Sequence, residues 1–195
     1  MARYRLLAAV LAIPVIAILA LAGIIAFGTA EPPPPMASVY ENVRRMDMSD
    51  LPPLQRYTAR DGASLAYRAW PGGGERVAVL IHGSTGSSRV MNPLAKALGT
   101  AGATVYAPDM RGHGESGRRG DIDYLGQLDD DLADFVAALK PQHAAARFTL
   151  IGFSAGGGFT LRMAAGRYGD LFDRYILLAP YLGYNAPSSR HGGGG

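Results

Sequence analysis

The sequence predicts an α/β fold: a mostly parallel sheet covered by helices on both faces, preceded by one transmembrane helix. Three observations predict it. Continuous apolar runs of strand length recur at 77–81 (VAVLI), 104–107, 148–152 and 175–179 (YILLA), as expected of strands buried on both faces. Stretches with apolar residues at helical spacing separate them, and this alternation is the mark of a parallel sheet with crossover helices. Finally, residues 6–30 carry no charge at all, and a run of that length can span a bilayer, which needs roughly 20 apolar residues.

From the N-terminus, Arg3 and Arg5 precede the apolar run and Glu31 follows it. This asymmetry predicts a single-pass anchor in the cytoplasmic membrane over 1–30, with the rest of the chain on the extracytoplasmic side. Small-x-small triplets at 20–22 and 28–30 keep a cleaved signal peptide as the alternative. The run is longer than the ~7–15 residues of a signal core, which favours the anchor. A Pro-rich linker is expected over 31–53, opening on EPPPP, a stiff extended spacer. The folded domain is expected over 54–195.

Within it, 55–59 and 64–70 flank Asp61-Gly62, a hairpin signal. Met91, Leu94, Ala95 and Leu98 share a helix face. Leu125, Leu128, Leu132, Phe135, Val136 and Leu139 form a second apolar stripe. The acidic run Asp129–Asp131 with Asp134 reads as a solvated helix face rather than a metal site. A third helix is expected over 155–167.

With 195 residues, 48% hydrophobic and 18% charged, the chain has ample material for one core, which excludes a disordered or fibrous protein. No cysteine is present, which excludes disulfides, a thiol nucleophile and Cys-ligated metal. A net charge of +3 with scattered Arg gives no nucleic-acid footprint. No cofactor or metal is expected.

Three motifs carry chemistry. Gly152-Phe153-Ser154-Ala155-Gly156 lies between an expected strand and an expected helix, the context a nucleophile turn of the form G-x-S-x-G requires. There the serine backbone is strained, side chains two residues to either side would collide, and the following helix points free N–H groups at the hydroxyl. His82-Gly83-Ser84 directly follows the VAVLI strand. Its loop can supply one backbone N–H to an oxyanion from Ser84, with Ala155 supplying the other. Gly83 permits close approach, and His82 reads as a residue bracing the loop. The third motif, DMRGHGES at 109–116, has no second ligand at metal spacing.

Together, HGSTGSS, DMRGHGES and GFSAGG, each after successive strands, resemble the α/β-hydrolase superfamily. The likeness is to serine hydrolases similar to monoacylglycerol lipases, lysophospholipases and serine aminopeptidases, and it covers about residues 54–182. It implies that Ser154 is the nucleophile, that Ser84 and Ala155 are the oxyanion donors, and that Arg111 and His113 belong to a structural loop. The same resemblance implies a triad acid and histidine after later strands. The sole histidine beyond Ser154 is His191, in a Gly-rich tail. The chain therefore reads as the N-terminal portion of a longer hydrolase, its fold incomplete on the C-terminal side, with YILLA left as an exposed edge.

The function expected is that of a membrane-anchored serine hydrolase of carboxylic esters, with an ester substrate and the lipid bilayer as partners and no nucleic acid. Peptidase or acyltransferase chemistry on the same nucleophile stays open. So does a catalytically inactive binding or interaction protein on this fold.

Overall fold

The computed structural model describes residues 13–24, 28, 48–120 and 122–183. The chain divides into two units, residues 1–44 and 45–195. In the first, residues 13–24 are helical. Among the described residues no helix is long and apolar enough to cross a membrane. The rest of the expected span (Gly28 apart), most of the linker, and His191 lie outside the described residues.

The second unit holds a six-stranded sheet in the order β1-β2-β4-β3-β5-β6. Its strands are β1 (Gln55–Thr58), β2 (Ser64–Trp70), β3 (Arg76–Ile81), β4 (Thr104–Pro108), β5 (Arg147–Phe153) and β6 (Arg174–Leu178). Strand β2 runs antiparallel to both neighbours, whereas β4, β3, β5 and β6 are parallel. Its helices, numbered within this unit, are α1 (Asn92–Thr100), α2 (Gln127–Leu139) and α3 (Ala155–Ala165).

Alternation along β3 sorts the core into two layers. Val77, Val79 and Ile81 face α2 and α3, packing with Leu132, Phe135, Val136 and Met163. Ala78 and Leu80 face α1, packing with Met91, Ala95, Val105 and Ile151. Both faces of β3 and β4 are therefore covered, which is why these strands read as unbroken apolar runs.

Strand β4 lies on one side of β3 and β5 on the other. The loops leaving β3 and β5 thus diverge from adjacent strand ends, and such a reversal leaves a crevice at the carboxyl edge of the sheet.

Two expectations need correction. Leu125 is not on the apolar stripe of α2: the helix begins at Gln127, after Gly126 in a left-handed conformation, and Leu125 is 96% exposed. The acidic run is not a solvated face, for Asp130 and Asp131 are only 5% and 4% exposed. Their charges are met by Arg60, Arg111 and Arg167 from other elements, which helix periodicity alone cannot reveal. The YILLA run, grouped by pattern with the buried strands, takes the exposed-edge position also expected of it. β6 is the edge of the described sheet, and Ile176 is 41% exposed there.

Candidate active site

Ser154 sits at the junction of β5 and α3 with φ 54° and ψ −117°. Besides Ala179, it is the one non-glycine residue with positive φ among those described. A side chain in that region costs about 1–3 kcal/mol and persists where the surroundings impose it. Here they do. The Ser154 N–H donates to Leu178 O at 3.0 Å, and its carbonyl accepts from the N–H groups of Gly157, Gly158 and Tyr181 at 2.9, 3.2 and 2.9 Å. The residue itself is half-buried.

The flanking glycines are required for different reasons. A Cβ on Gly152 would overlap the Gly156 carbonyl across the turn, and also the Thr160 hydroxyl. A Cβ on Gly156 would instead lie 2.5 Å from the carbonyl oxygens of Ile81 and His82. The collision expected at both positions is real, but at Gly156 it is with β3 rather than with the turn itself. Strand register explains this, because Ile81 pairs directly with Gly152 and brings the loop after β3 alongside the start of α3. A Cβ on Gly83 would stand 3.3 Å from Ser154 Cβ, so the two turns nearly touch.

His82 is buried, and both its ring nitrogens are occupied. The Met110 N–H donates to Nε2 at 3.1 Å, which leaves the proton on Nδ1, and Nδ1–H donates to Gly83 O at 2.8 Å. Burial lowers its pKa from the ordinary value of 6.5, because a charge would be desolvated and the Met110 bond lost. The ring thus links the loop after β3 to the loop after β4.

Ser84 is exposed and Ala155 half-buried. Both line one cavity of about 100 Å³, whose remaining wall includes Ile81, Met110, Leu128 and Phe159. Gly156, His82, Gly83 and His113 complete it. The expected site residues are thus brought together at the carboxyl edge of β3 and β5, beside an apolar wall.

Arg111 and His113, expected in a structural loop with no chemical role, are tied into that loop by partners the sequence did not reveal. Arg111 makes two 2.7 Å bonds to the Asp131 carboxylate and a 2.7 Å ion pair with Asp61 of the hairpin. Burial pushes the Asp131 carboxyl up, while Arg111 opposes the shift. Asp109 accepts the Ser88 N–H at 2.6 Å and the Glu115 N–H at 2.9 Å, which ties the loops after β3 and β4 together. His113 Nε2 lies 2.9 Å from Ser84 O. The signal for all three was DMRGHGES itself, whose polar residues have partners far away in sequence. Among the described residues, the three histidines, His82, His113 and His143, are each held by other groups. No group of acids and histidines there could hold a metal ion.

A sheet of this order, with a strained serine between its fifth strand and the next helix, defines the α/β-hydrolase class of fold. The family model described as Serine aminopeptidase, S33 matches residues 74–192, and the chain belongs to that family. It is similar to a monoacylglycerol lipase of Mycolicibacterium smegmatis, with 32% identity over 122 residues, 61% of this chain and 43% of that protein. Among solved structures it is similar to a soluble variant of monoglyceride lipase from Saccharomyces cerevisiae (TM-score 0.57, 25% identity, 66% of this chain and 45% of that one). An esterase of Pyrococcus furiosus is comparably similar (TM-score 0.57, 26% identity, 69% and 55%). The chain spans about half the length of these relatives. Hydrolase ancestry of lipase or esterase type follows from them.

Proposed function

We propose that this chain carries the nucleophile and oxyanion side of a serine hydrolase acting on carboxylic esters of lipid or acylglycerol type. Ser154 Oγ attacks the ester carbonyl, the N–H groups of Ser84 and Ala155 receive the oxyanion, and the alcohol leaves as an acyl-serine forms. Water then attacks the acyl carbon, releasing the acid and regenerating the serine. A proton acceptor for Oγ and the acid that orients it are, on this reading, contributed by residues outside those described.

The observation that carries the reading is the backbone of Ser154, held at φ 54° between two glycines that can bear no Cβ. A binding module has no need of that strain. The wall formed by Met110, Leu128 and Phe159 suits an acyl chain next to the reacting carbonyl. The names of the lipase relatives point to the same substrate class. The apolar run over 6–30 is proposed as a membrane anchor that keeps the domain near lipid esters, outside the cytoplasmic membrane.

The test is labelling of the full chain by a fluorophosphonate, with the adduct mapped by mass spectrometry. Adduct on Ser154, absent in Ser154→Ala, supports the proposal. A folded wild-type chain whose adduct forms on other residues and not on Ser154 refutes it and favours the binding-protein reading. Release of labelled protein from membranes by high salt alone would refute the anchor.

A further inference from the structure

We infer that His113 is a positioning residue that sets the Ser84 backbone, and with it one of the two amide hydrogens of the oxyanion site; this rests on the serine-hydrolase reading. Ser84 and Thr85 form the middle of a turn closed by the Gly86 N–H donating to Gly83 O at 3.0 Å. The peptide that carries the Ser84 N–H has its own oxygen, Gly83 O, held a second time by His82 Nδ1–H at 2.8 Å. The next peptide has its oxygen, Ser84 O, facing His113 Nε2 at 2.9 Å, and a carbonyl can only accept, so Nε2–H donates. Each peptide is a rigid plane, and these two meet at the Ser84 Cα. One histidine therefore fixes each plane.

Packing cannot do this work, since Ser84 and Thr85 are both exposed and an exposed turn without ties opens readily. His113 is itself well supported. Its N–H donates to Met110 O at 2.9 Å, and its carbonyl accepts the Ser116 N–H at 2.9 Å. Its ring packs 5.1 Å from the ring of His82. One residue before Gly112, Arg111 is locked to Asp131 and Asp61. The sheet, α2 and the β1–β2 hairpin thus converge through one loop on the position of one amide hydrogen. Oxyanion donors act only when already aimed at the developing charge, so a loosened Ser84 weakens the site without changing any group that touches substrate.

The experiment compares wild type, His113→Ala and His113→Gln in the full chain. One readout is the second-order rate of fluorophosphonate labelling per folded molecule. The other is the ¹H–¹⁵N resonance of Thr85, whose N–H shares a peptide with Ser84 O. The alanine variant should label about tenfold more slowly, a fraction of the roughly 10²–10³-fold cost of deleting a donor outright. Its Thr85 resonance should move while the rest of the spectrum stays dispersed. Glutamine, which returns an N–H donor of similar reach, should recover most of the rate. If wild type labels and the alanine variant labels equally fast per folded molecule, or glutamine gives no recovery, the inference fails alone. A folded wild type whose adduct forms only away from Ser154 fails the hydrolase reading, and a Thr85 resonance that stays unmoved in His113→Ala fails the inference whether or not the chain labels.

Discussion

Replacing Gly156 by alanine drives a single methyl group into the backbone of β3. That methyl would start 2.5 Å from two carbonyl oxygens, Ile81 O and His82 O, where ordinary contact begins at 3.4 Å, so α3 has to withdraw by about 0.9 Å. Both obstacles are main chain, so no rotamer relieves them. Overpacking costs about 1–3 kcal/mol, and this case belongs near 3. For a chain of this size that lowers Tm by about 6–12 °C. The same substitution at Gly99, within α1, meets nothing within 4 Å. There alanine should gain roughly 0.5–1 kcal/mol through helix propensity, raising Tm by about 1–4 °C. Thermal melts by circular dichroism give both numbers. Ala155 adjoins Gly156, so the withdrawal also displaces its N–H, and a misplacement near 1 Å costs about 10²-fold in rate. Labelling of Ser154 should fall accordingly in Gly156→Ala and remain unchanged in Gly99→Ala. A Gly156→Ala variant that melts and labels like wild type, or a Gly99→Ala variant destabilised as far, would refute the close approach of α3 to β3.

Three further outcomes are expected. Ser154→Gly should be more stable than Ser154→Ala by about 1 kcal/mol in urea unfolding, because glycine accepts φ 54° whereas alanine keeps a strain of roughly 1–3 kcal/mol; neither should label. Arg111→Met leaves Asp131, with a side chain only 6% exposed, charged and unpaired, and should cost about 3–5 kcal/mol. The added Asp131→Asn change should restore part of that in a double-mutant cycle, and strict additivity would count against the pair. His82, whose folded pKa lies below 6.5 through burial, binds fewer protons folded than unfolded. Its contribution is therefore full above pH 6.5 and is lost as pH falls toward the folded value. Urea midpoints of wild type should drop over that interval more steeply than those of His82→Asn, and parallel slopes would exclude His82 as the titrating group.

Much of this was legible in local pattern. The strands β3, β4 and β5 announce themselves as apolar runs because both of their faces are covered. Gly152 and Gly156 bracket Ser154 visibly, and for Gly152 the demand for glycine does arise nearby, from the Gly156 carbonyl and the Thr160 hydroxyl. His82 could be read as a loop residue from its place directly after the VAVLI strand, whereas its bond from the Met110 N–H, 28 residues on, could not be seen there. The polar residues of the loop after β4 were visible as a cluster but not as a mechanism. Arg111 and Asp131 are 20 residues apart, and His113 and Ser84 are 29 apart. The Asp130 and Asp131 burial was misread for the same reason: on the helix alone they read as polar positions, and Arg60, Arg111 and Arg167 meet them from elsewhere in the chain.

The amino-acid sequence by itself determined which residue bends, which strands are enclosed, and that a serine stands at a strand-to-helix turn, because backbone sterics and apolar periodicity act over short range. Only the tertiary structure decided that Gly156 is demanded by β3, that a buried carboxylate on α2, Asp131, clamps Arg111, and that a histidine from one loop holds the peptide of another. Those are contacts between segments far apart in the chain; the first exists only because the register of β3 against β5 pairs Ile81 with Gly152, the others because the loop after β4 lies against α2 and the loop after β3.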